Sequence, residues 1–493
     1  MPTSTDPPTS KAHSPLLKVP TGIEGFDEIT EGGLPKGRVS LVAGTAGSGK
    51  TVLAMGFLVN GAEQYGDPGL FVSFEETSRD LETNFASLGF DLGALEEKGR
   101  IALDHIRVVR NEMEETGDYD LEGLFVRLGA EIDAIGAKRV VLDTIEVLFS
   151  AFEDEVVIRA EIKRLFQWLA DRDVTAIVTG ESGDSTFTRR GLEEYVADFV
   201  VVLTHLVDDM TATRRLRIVK YRGSSHGTNE CAFLIDQRGI SVLPLSSLGL
   251  RHGAPSERVS SGIARLDELL GGRGPFRASS VLFSGTAGTG KTSIASSFVD
   301  AACARGEKAI YFAFEESPEQ LMRNMRSIGI DLEQSVGRGL LRICAERPQH
   351  SGLEMHLVRM SREIEDFSPT IAVFDPITSL ESVGTRSSIR AMLTRLIDTI
   401  KERQITALFT SLTETGEYAE STDIGVSSLM DTWILVRNVE SGGRRTRGLY
   451  VLKSRGMALS NAIRELVLSD DGVDLLELPY DVDPSPAAAR ARP

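Results

Sequence analysis

The sequence has few cysteines and no apolar run long enough to cross a membrane. Cysteine occurs at 3 of the 493 positions. Cys231, Cys303 and Cys344 are far apart and form no CxxC pair, a pattern that indicates reduced, buried thiols rather than disulfides or a zinc site. A spanning helix needs about 20 consecutive apolar residues, and the longest runs, such as 199–203, are far shorter. We therefore expect neither a disulfide scaffold nor a membrane-spanning protein.

We also expect neither a signal peptide nor a generally basic surface. Residues 1–15 are rich in Pro, Ser and Thr without an apolar core, which predicts a disordered leader and a cytoplasmic protein. Lys and Arg total 54 against 72 Asp and Glu, a net charge of −18. This field opposes general binding to nucleic acid. Two basic runs, 214–217 and 444–447, are predicted on or near strand edges and are interpreted as solvated faces.

What the sequence does contain is a phosphate-binding loop, twice. Both octets fit G-x-x-x-x-G-K-[ST], follow an apolar run and precede a helical pattern, as such loops require. Their glycines let backbone N–H groups converge on phosphate oxygens, while the lysine adds a charge and the threonine offers a hydroxyl to Mg²⁺. The predicted ATP-binding residues are Gly44, Thr45, Ala46, Gly47, Ser48, Gly49, Lys50, Thr51, and Gly285, Thr286, Ala287, Gly288, Thr289, Gly290, Lys291, Thr292.

Five landmarks recur in the same order about 240 residues apart, which indicates duplication of a whole domain. We predict a first domain at 16–246, a linker at 247–260, a second domain at 261–478 and a disordered tail at 479–493. Short β-branched runs alternate with helical stretches within each copy. That alternation predicts an α/β fold with a mostly parallel, helix-covered sheet.

Two aspartates, Asp143 and Asp375, end apolar runs. A carboxylate there can hold a Mg²⁺-bound water opposite the loop threonine, so we predict metal sites formed by Thr51 with Asp143 and by Thr292 with Asp375. A helix N-cap is the alternative role. Pro376 follows the second aspartate and removes a hydroxyl and an N–H group, so we expect an altered second site.

Paired glutamates follow another predicted strand in each copy: Glu75 with Glu76, and Glu315 with Glu316. Adjacent carboxylates near a γ-phosphate can polarise an attacking oxygen as a general base. A solvated acidic turn is the competing interpretation, although the recurrence in both copies argues against it. The glutamates are therefore our candidate catalytic residues.

A K-x-R-G motif lies late in each copy and supplies Lys220 with Arg222, and Lys453 with Arg455. These residues are distant in sequence from the phosphate loop of their own domain. An arginine that reaches a neighbouring subunit's nucleotide would stabilise charge on the phosphoryl group and tie hydrolysis to ring assembly. A basic β-turn is the alternative.

Together, EGFD, GGLP, GTAGSGKT, FEET, the Asp-ended strand and K-x-R-G in tandem copies resemble the KaiC family of RecA-like ATPases, over roughly 19–474. The resemblance implies two tandem RecA-like P-loop NTPase domains in a homohexamer that binds ATP and Mg²⁺ at subunit interfaces. It implies ATPase activity in the first copy and serine/threonine autokinase activity in the second, serving a circadian-type timing or signalling switch.

The resemblance also assigns roles to residues. Glu75 and Glu76 resemble the family's hydrolytic pair, Glu315 and Glu316 its phosphotransfer pair. The K-x-R-G residues resemble its trans-acting basic residues. Residues 420–432 resemble its phosphorylated stretch, which implies the following acceptors: Thr422, Ser427 and Ser428.

The chain also departs from the family pattern. Ser428 and Pro376 replace a threonine and a serine of the family, and 457–459 replaces a polar stretch after the second K-x-R-G motif. The shorter tail weighs against a KaiA-like activator, whereas a KaiB-like partner stays among the expectations. Two other functions remain open: a RecA/RadA-like nucleic-acid-dependent ATPase, which the acidic charge disfavours, and a nucleotide-gated interaction scaffold without kinase activity.

Overall fold

The computed structural model describes residues 16–107, 121–149, 155–183, 196–208, 211–244, 253–413, 425–441, 444–457, 460 and 462–478. The chain divides into two compact units. The first contains Met1–Leu206 and Arg214–Ser246, and the second contains Val207–Thr213 and Ser247–Pro493. Each unit is built around its own sheet.

In the first unit the sheet has nine strands within the described residues, in the order β11-β10-β9-β8-β3-β7-β6-β4-β5. The strands from β8 to β5 run parallel, while β10 is antiparallel to both β9 and β11. A separate two-stranded sheet pairs β1 with β2. The strands are β1 Lys18–Val19, β2 Leu34–Pro35, β3 Val39–Gly44, β4 Gly69–Ser73, β5 Ile101–His105, β6 Arg139–Asp143, β7 Thr175–Glu181, β8 Phe199–Asp208, β9 Thr211–Tyr221, β10 Cys231–Asp236 and β11 Gly239–Val242.

Helices connect the parallel strands of this unit, as crossovers between parallel neighbours require. The described helices are Phe26–Ile29, Lys50–Gln64, Ser78–Ala86, Leu92–Glu97, Glu122–Ile135, Ile145–Leu148 and Glu155–Asp171. Successive residues of β6 face opposite sides of the sheet: Val140 and Leu142 pack in one apolar cluster and Val141 in another. Both faces of the sheet are therefore buried.

The second unit repeats this topology. Read from the opposite edge, its strand order β20-β19-β18-β17-β12-β16-β15-β13-β14 matches that of the first sheet strand for strand. The strands are β12 Ser280–Gly285, β13 Ala309–Ala313, β14 Leu341–Ala345, β15 Ile371–Asp375, β16 Thr406–Leu412, β17 Thr432–Ser441, β18 Arg444–Ser454, β19 Arg464–Ser469 and β20 Gly472–Glu477.

The described helices of the second unit again flank its sheet. They are Ala264–Leu269, Lys291–Ala304, Pro318–Arg326, Leu332–Gly337, Leu353–Phe367 and Arg386–Glu402, with 3₁₀ turns at Pro348–His350 and Ile377–Ser382. One sheet face carries a ladder of stacked rings, because the centroid of Phe374 lies 5.1 Å from that of Phe312 and 5.0 Å from that of Phe409.

The fold class predicted from the sequence is confirmed: two tandem, mostly parallel sheets are flanked by helices. All three cysteines are free, two of them buried and Cys344 half-buried. No helix in the described part of the chain combines the length and apolarity needed to cross a bilayer.

Candidate functional site

Each phosphate loop leaves the carboxyl end of the sheet's central parallel strand and leads into a helix. The helices begin at Lys50 and Lys291, directly after glycines with φ of 104° and 98°. Residues with a side chain rarely adopt such backbone angles. A Cβ atom at Gly285 would also lie 2.1 Å from the carbonyl oxygen of Val436. The glycines of the motif are therefore required by backbone conformation and close approach.

The loop lysines fold back onto the loop. Lys50 Nζ donates to the carbonyl oxygens of Gly44 at 2.9 Å and Thr45 at 3.1 Å, and Lys291 makes the equivalent bonds at 2.8 Å each. Burial lowers the pKa of Lys291 to about 8, although Asp375 and Glu315 act in the opposite direction. Both ammonium groups thus lie at the loop, where a phosphate would approach.

The aspartates that end β6 and β15 are buried beside the loops. Asp143 accepts a hydrogen bond from Thr179 and lies near the loop hydroxyl of Thr51, and Asp375 accepts a hydrogen bond from Thr410. Burial raises the pKa of Asp143, opposed by those two hydroxyls and by Lys50. A carboxylate and a hydroxyl are oxygen ligands of the type that Mg²⁺ binds, so this part of the first site could hold the metal.

The glutamate pairs follow β4 and β13 at the same carboxyl edge of their sheets. Glu76 accepts a hydrogen bond from Asn84 Nδ2 at 3.1 Å, and Glu316 accepts one from Asn324 Nδ2 at 3.1 Å. Burial raises the pKa of Glu316, and the nearby Asp375 raises it further. The second site therefore holds a carboxylate that is more basic than an exposed glutamate.

In the second unit a serine supplies the hydroxyl donor that is missing because Pro376 follows the aspartate. In the first unit Thr144 Oγ1, directly after the aspartate, donates to Glu75 Oε1 at 3.2 Å. In the second, Ser379 Oγ donates to Glu315 Oε1 at 2.8 Å. The first glutamate of each pair thus keeps a hydroxyl donor. The expected loss of a donor at the second site is compensated from the 3₁₀ turn that follows, a contact that the sequence did not suggest.

Two cavities adjoin the second phosphate loop. One, of about 350 Å³, is lined by loop residues together with Tyr311, Glu315, Glu316 and Asp375. The other, of about 460 Å³, is lined by Ala287 and Gly288 of the loop and by Asn438, Arg445 and Arg447. The interpretation of the basic run 444–447 as a purely solvated face is therefore incomplete, because two of its arginines line a cavity at the loop.

The K-x-R-G residues lie at the opposite, amino edge of the sheets. In the second unit Thr432 pairs with Val281 near the start of β12 and with Ser454 at the end of β18. In the first, Arg222 N donates to Asp198 O, and Asp198 N to Val39 O at the start of β3. Five residue steps of roughly 3.3 Å, about 16 Å in all, separate that edge from the loop of the same unit.

The described candidate acceptors share this amino edge. Lys453 Nζ donates to the carbonyl oxygen of Ser427 at 3.1 Å, and Arg455 Nη2 donates to that of Ser428 at 2.9 Å. The Ser428 hydroxyl, on an exposed residue, accepts from Arg390 Nη2 at 3.2 Å. Thr422 lies outside the described residues. The structure thus groups the second basic pair with two serines, away from the phosphate loop of their own unit.

Comparison with known proteins assigns the family. The family model described as "ATPase: KaiC" matches residues 19–247 and again 259–480. The chain is 51% identical over 464 residues to "Circadian clock protein KaiC2" of Synechocystis sp., covering 94% of this chain and 82% of that protein. It is 38% identical over 474 residues to "Circadian clock oscillator protein KaiC" of Synechococcus elongatus, covering 96% and 91%. With two P-loops on two matching domains, the chain is an ATP-binding ATPase that belongs to the KaiC family.

Proposed function

We propose that this ATPase hydrolyses ATP in its first domain, 16–246, and phosphorylates itself on serine or threonine in its second, 261–478. It works as a homohexamer with nucleotide at the subunit interfaces. Slow hydrolysis and phosphorylation serve as a timing or signalling switch, in keeping with the clock proteins of similar sequence. A KaiB-like protein is the partner we propose, and the net charge of −18 argues against nucleic acid.

In the first domain, the chemistry requires a base, phosphate ligands and a metal site. Glu75 and Glu76 lie at the strand edge that carries the loop and would orient and deprotonate the attacking water. Thr51 and Asp143 would hold Mg²⁺, which, when bound, neutralises charge on the phosphates. The proximity of these two side chains supports the assignment, since it brings the required oxygen atoms together.

In the second domain, the attacking atom would be a serine hydroxyl instead of water. The Oγ–P bond forms as the bond to ADP breaks, and the hydroxyl proton passes to a carboxylate of the pair. Glu316 suits that role because burial and Asp375 raise its pKa. Thr292 and Asp375 would hold the metal, and Lys291 would contact the phosphates.

The proposal of a ring rests on one observation. In the second unit the candidate acceptors and the basic pair lie at the amino edge of the sheet, while the phosphate loop and the glutamates lie at its carboxyl edge. About 16 Å of strand separates these edges, at roughly 3.3 Å per residue. A neighbouring copy, turned so that its amino edge meets this carboxyl edge, would bring both sets together. Lys220, Arg222, Lys453 and Arg455 would then act in trans on the neighbour's nucleotide.

Matched double variants test the division of labour. The purified chain is incubated with ATP and Mg²⁺, ADP release is measured, and Thr422, Ser427 and Ser428 are mapped by mass spectrometry. We expect Glu75→Gln with Glu76→Gln to remove most hydrolysis and to retain phosphorylation. Glu315→Gln with Glu316→Gln should remove phosphorylation and retain hydrolysis.

Other results would favour other functions. Turnover of ATP with all three acceptors unmodified would leave an ATPase scaffold without kinase activity. Stimulation of hydrolysis by single-stranded DNA, lost steeply with added salt, would favour a nucleic-acid-dependent ATPase. A chain that stays monomeric with ATP would contradict the ring.

A further inference from the structure

The second site contains a buried tyrosine that makes direct contact with its aspartate. The Tyr311 hydroxyl donates to Asp375 Oδ2, while Thr410 donates to Oδ1. Tyr311 is fully buried, and Asp375 is 8% exposed. Tyr311 pairs with Val373 in the neighbouring strand, two residues before Asp375 and on the same face of the sheet. Donors outside the phosphate loop thus hold both carboxylate oxygens.

The first unit lacks this arrangement. Phe71 occupies the position of Tyr311, because it is the third residue of β4 and pairs with Val141, two residues before Asp143. A second position differs too: the fully buried Ser296 lies beside the Tyr311 hydroxyl without a hydrogen bond of standard geometry, where the first unit has Met55. In the first unit Thr179 donates to Asp143, and Phe71 has no hydroxyl to offer.

This difference matters when a cation binds with the nucleotide. The loop threonine offers its hydroxyl oxygen to the metal, and Asp143 has the Thr179 hydroxyl as its donor from outside the loop. Asp375 keeps both of its donors, since neither Tyr311 nor Thr410 belongs to the loop. Hydrogen bonds that fix a metal-site carboxylate hold it in the orientation that the cation requires.

We propose that Tyr311 is a positioning residue that fixes the Asp375 carboxylate for a divalent cation, a hydroxyl contact that the aspartate of the first unit does not receive from the equivalent Phe71. The inference rests on the proposed cation role of Asp375. It assigns to Tyr311 no contact with nucleotide and no part in proton transfer. Its effect is confined to the portion of nucleotide affinity that depends on the cation.

The test measures how much Mg²⁺ increases the affinity of the second site for nucleotide. In the full chain carrying Lys50→Ala and Thr51→Ala to weaken the first site, equilibrium dialysis gives the Kd of a non-hydrolysable ATP analogue with Mg²⁺ and with EDTA. We expect Tyr311→Phe to reduce the gain in affinity caused by Mg²⁺ about tenfold, the lower end of the effect of such supporting contacts, and to leave the Kd in EDTA unchanged. Phenylalanine already occupies the equivalent buried position in the first unit.

A matched control removes another buried tyrosine hydroxyl. Tyr221 donates to the carbonyl oxygen of Gly33 at 2.8 Å in the first unit, so Tyr221→Phe should alter thermal stability without changing the Mg²⁺ gain at the second site. If Tyr311→Phe is unstable, the double variant Tyr311→Phe with Ser296→Met is used in its place, because it introduces the two residues found at these positions in the first unit.

Two results overturn the inference. In one, the Mg²⁺ gain is unchanged in Tyr311→Phe. In the other, the variant weakens binding equally in Mg²⁺ and EDTA, as a merely structural role would. Asp375→Asn separates this failure from failure of the proposed metal site: if that variant also keeps the full gain, the cation role of Asp375 is wrong. If it loses the gain while Tyr311→Phe keeps it, only the role of Tyr311 is wrong.

Discussion

Asp431 follows the candidate acceptors Ser427 and Ser428 in an acceptor segment, 425–431, and connects this segment to the amino edge of the sheet. It pairs with Lys401 Nζ at 2.8 Å and accepts hydrogen bonds from the Ser280 N–H and hydroxyl at 3.0 Å each. Burial acts to raise the pKa of this carboxyl, but Lys401 and Ser280 outweigh burial and hold the pKa below its ordinary value. The ionised form is therefore stabilised in the folded protein, and this stabilisation depends on pH.

The sign of the pH dependence follows from the lowered pKa. The stabilisation is fully present above the ordinary pKa of 3.8 and is lost as the pH falls below it, through the folded-state value. We expect Asp431→Asn to lower the thermal midpoint of the second domain at pH 7 and to flatten the fall of that midpoint below about pH 4. Asp474→Asn is the control, because its pair with Arg265 is exposed. Parallel pH profiles of wild type and Asp431→Asn would contradict this expectation.

Arg447 offers a second test at the level of one side chain. It lines the cavity beside the second loop, and a charge-assisted bond from a guanidinium to phosphate contributes about 1.5–3 kcal/mol. We expect Arg447→Ala to raise the Kd of ATP at the second site about tenfold, measured by dialysis with the first site weakened by Lys50→Ala and Thr51→Ala. Arg214→Ala, the corresponding change in the first unit, should leave that Kd unaltered. Equal effects of the two variants would point to general electrostatics.

The sequence predicted those site residues whose role depends on local spacing. The loops could be recognised because Gly49 and Gly290 must adopt positive φ at fixed positions before a lysine. The contacts of Tyr311 and Ser379 could not, because each depends on strand register or on a turn that follows another strand. Nothing in the local sequence separates Tyr311 from the other residues of an apolar strand, because its partner Asp375 ends a different strand, β15.

At the level of elements, a short helix follows each glutamate pair and supplies an asparagine that donates a hydrogen bond to the second glutamate. Ser78–Ala86 begins after the N-cap Thr77 and carries Asn84, while Pro318–Arg326 begins after Ser317 with a capping box. Side-chain oxygens at these caps satisfy N–H groups that the first turn leaves free. Both helices therefore start at a fixed residue, and Asn84 and Asn324 reach Glu76 and Glu316 at the same spacing.

Removing the asparagine tests whether the helix positions the base. We expect Asn324→Ala to slow phosphorylation of the second domain roughly tenfold, since a misplacement of about 1 Å can cost up to 100-fold in rate. The rate of phosphate incorporation measures this effect. Ser327→Ala, one turn further on at an exposed position, should leave the rate unaltered. A full rate in Asn324→Ala would mean that Glu316 needs no support from this helix.

The elements themselves followed from sequence patterns more readily than their order did. Alternating strands and helices predicted the parallel part of each sheet, where crossovers are long enough to contain a helix. The sequence patterns do not indicate the antiparallel extension from β17 to β20. β18 carries Lys453 near its end and the two arginines of the second cavity near its start, and Arg455 follows the strand directly, so strand register places these two groups of residues at opposite edges of the sheet.

At the scale of the whole chain, duplication gives two units with one topology and a shared polarity. The loops and glutamates occupy the carboxyl edge of each sheet, and the K-x-R-G residues occupy the amino edge. Ligands of open parallel sheets bind beyond the carboxyl ends of the strands. A chain with its nucleotide groups at one edge and its candidate acceptors at the other is suited to head-to-tail contacts, which close into a ring when the rotation allows.

A mixing experiment tests transfer between neighbouring chains. The first variant keeps its acceptors but lacks the catalytic carboxylates, through Glu315→Gln and Glu316→Gln. The second variant carries a tag and keeps the carboxylates, but it lacks the acceptors through Thr422→Ala, Ser427→Ala and Ser428→Ala. Neither should be phosphorylated alone. Mixed before ATP is added, the pair should carry phosphate on the base-deficient chain, because the neighbour's carboxyl edge supplies the missing carboxylates. If the mixture stays unmodified while wild type is phosphorylated, transfer occurs within one chain, and the separation of acceptor and loop must be closed by a movement of the acceptor segment.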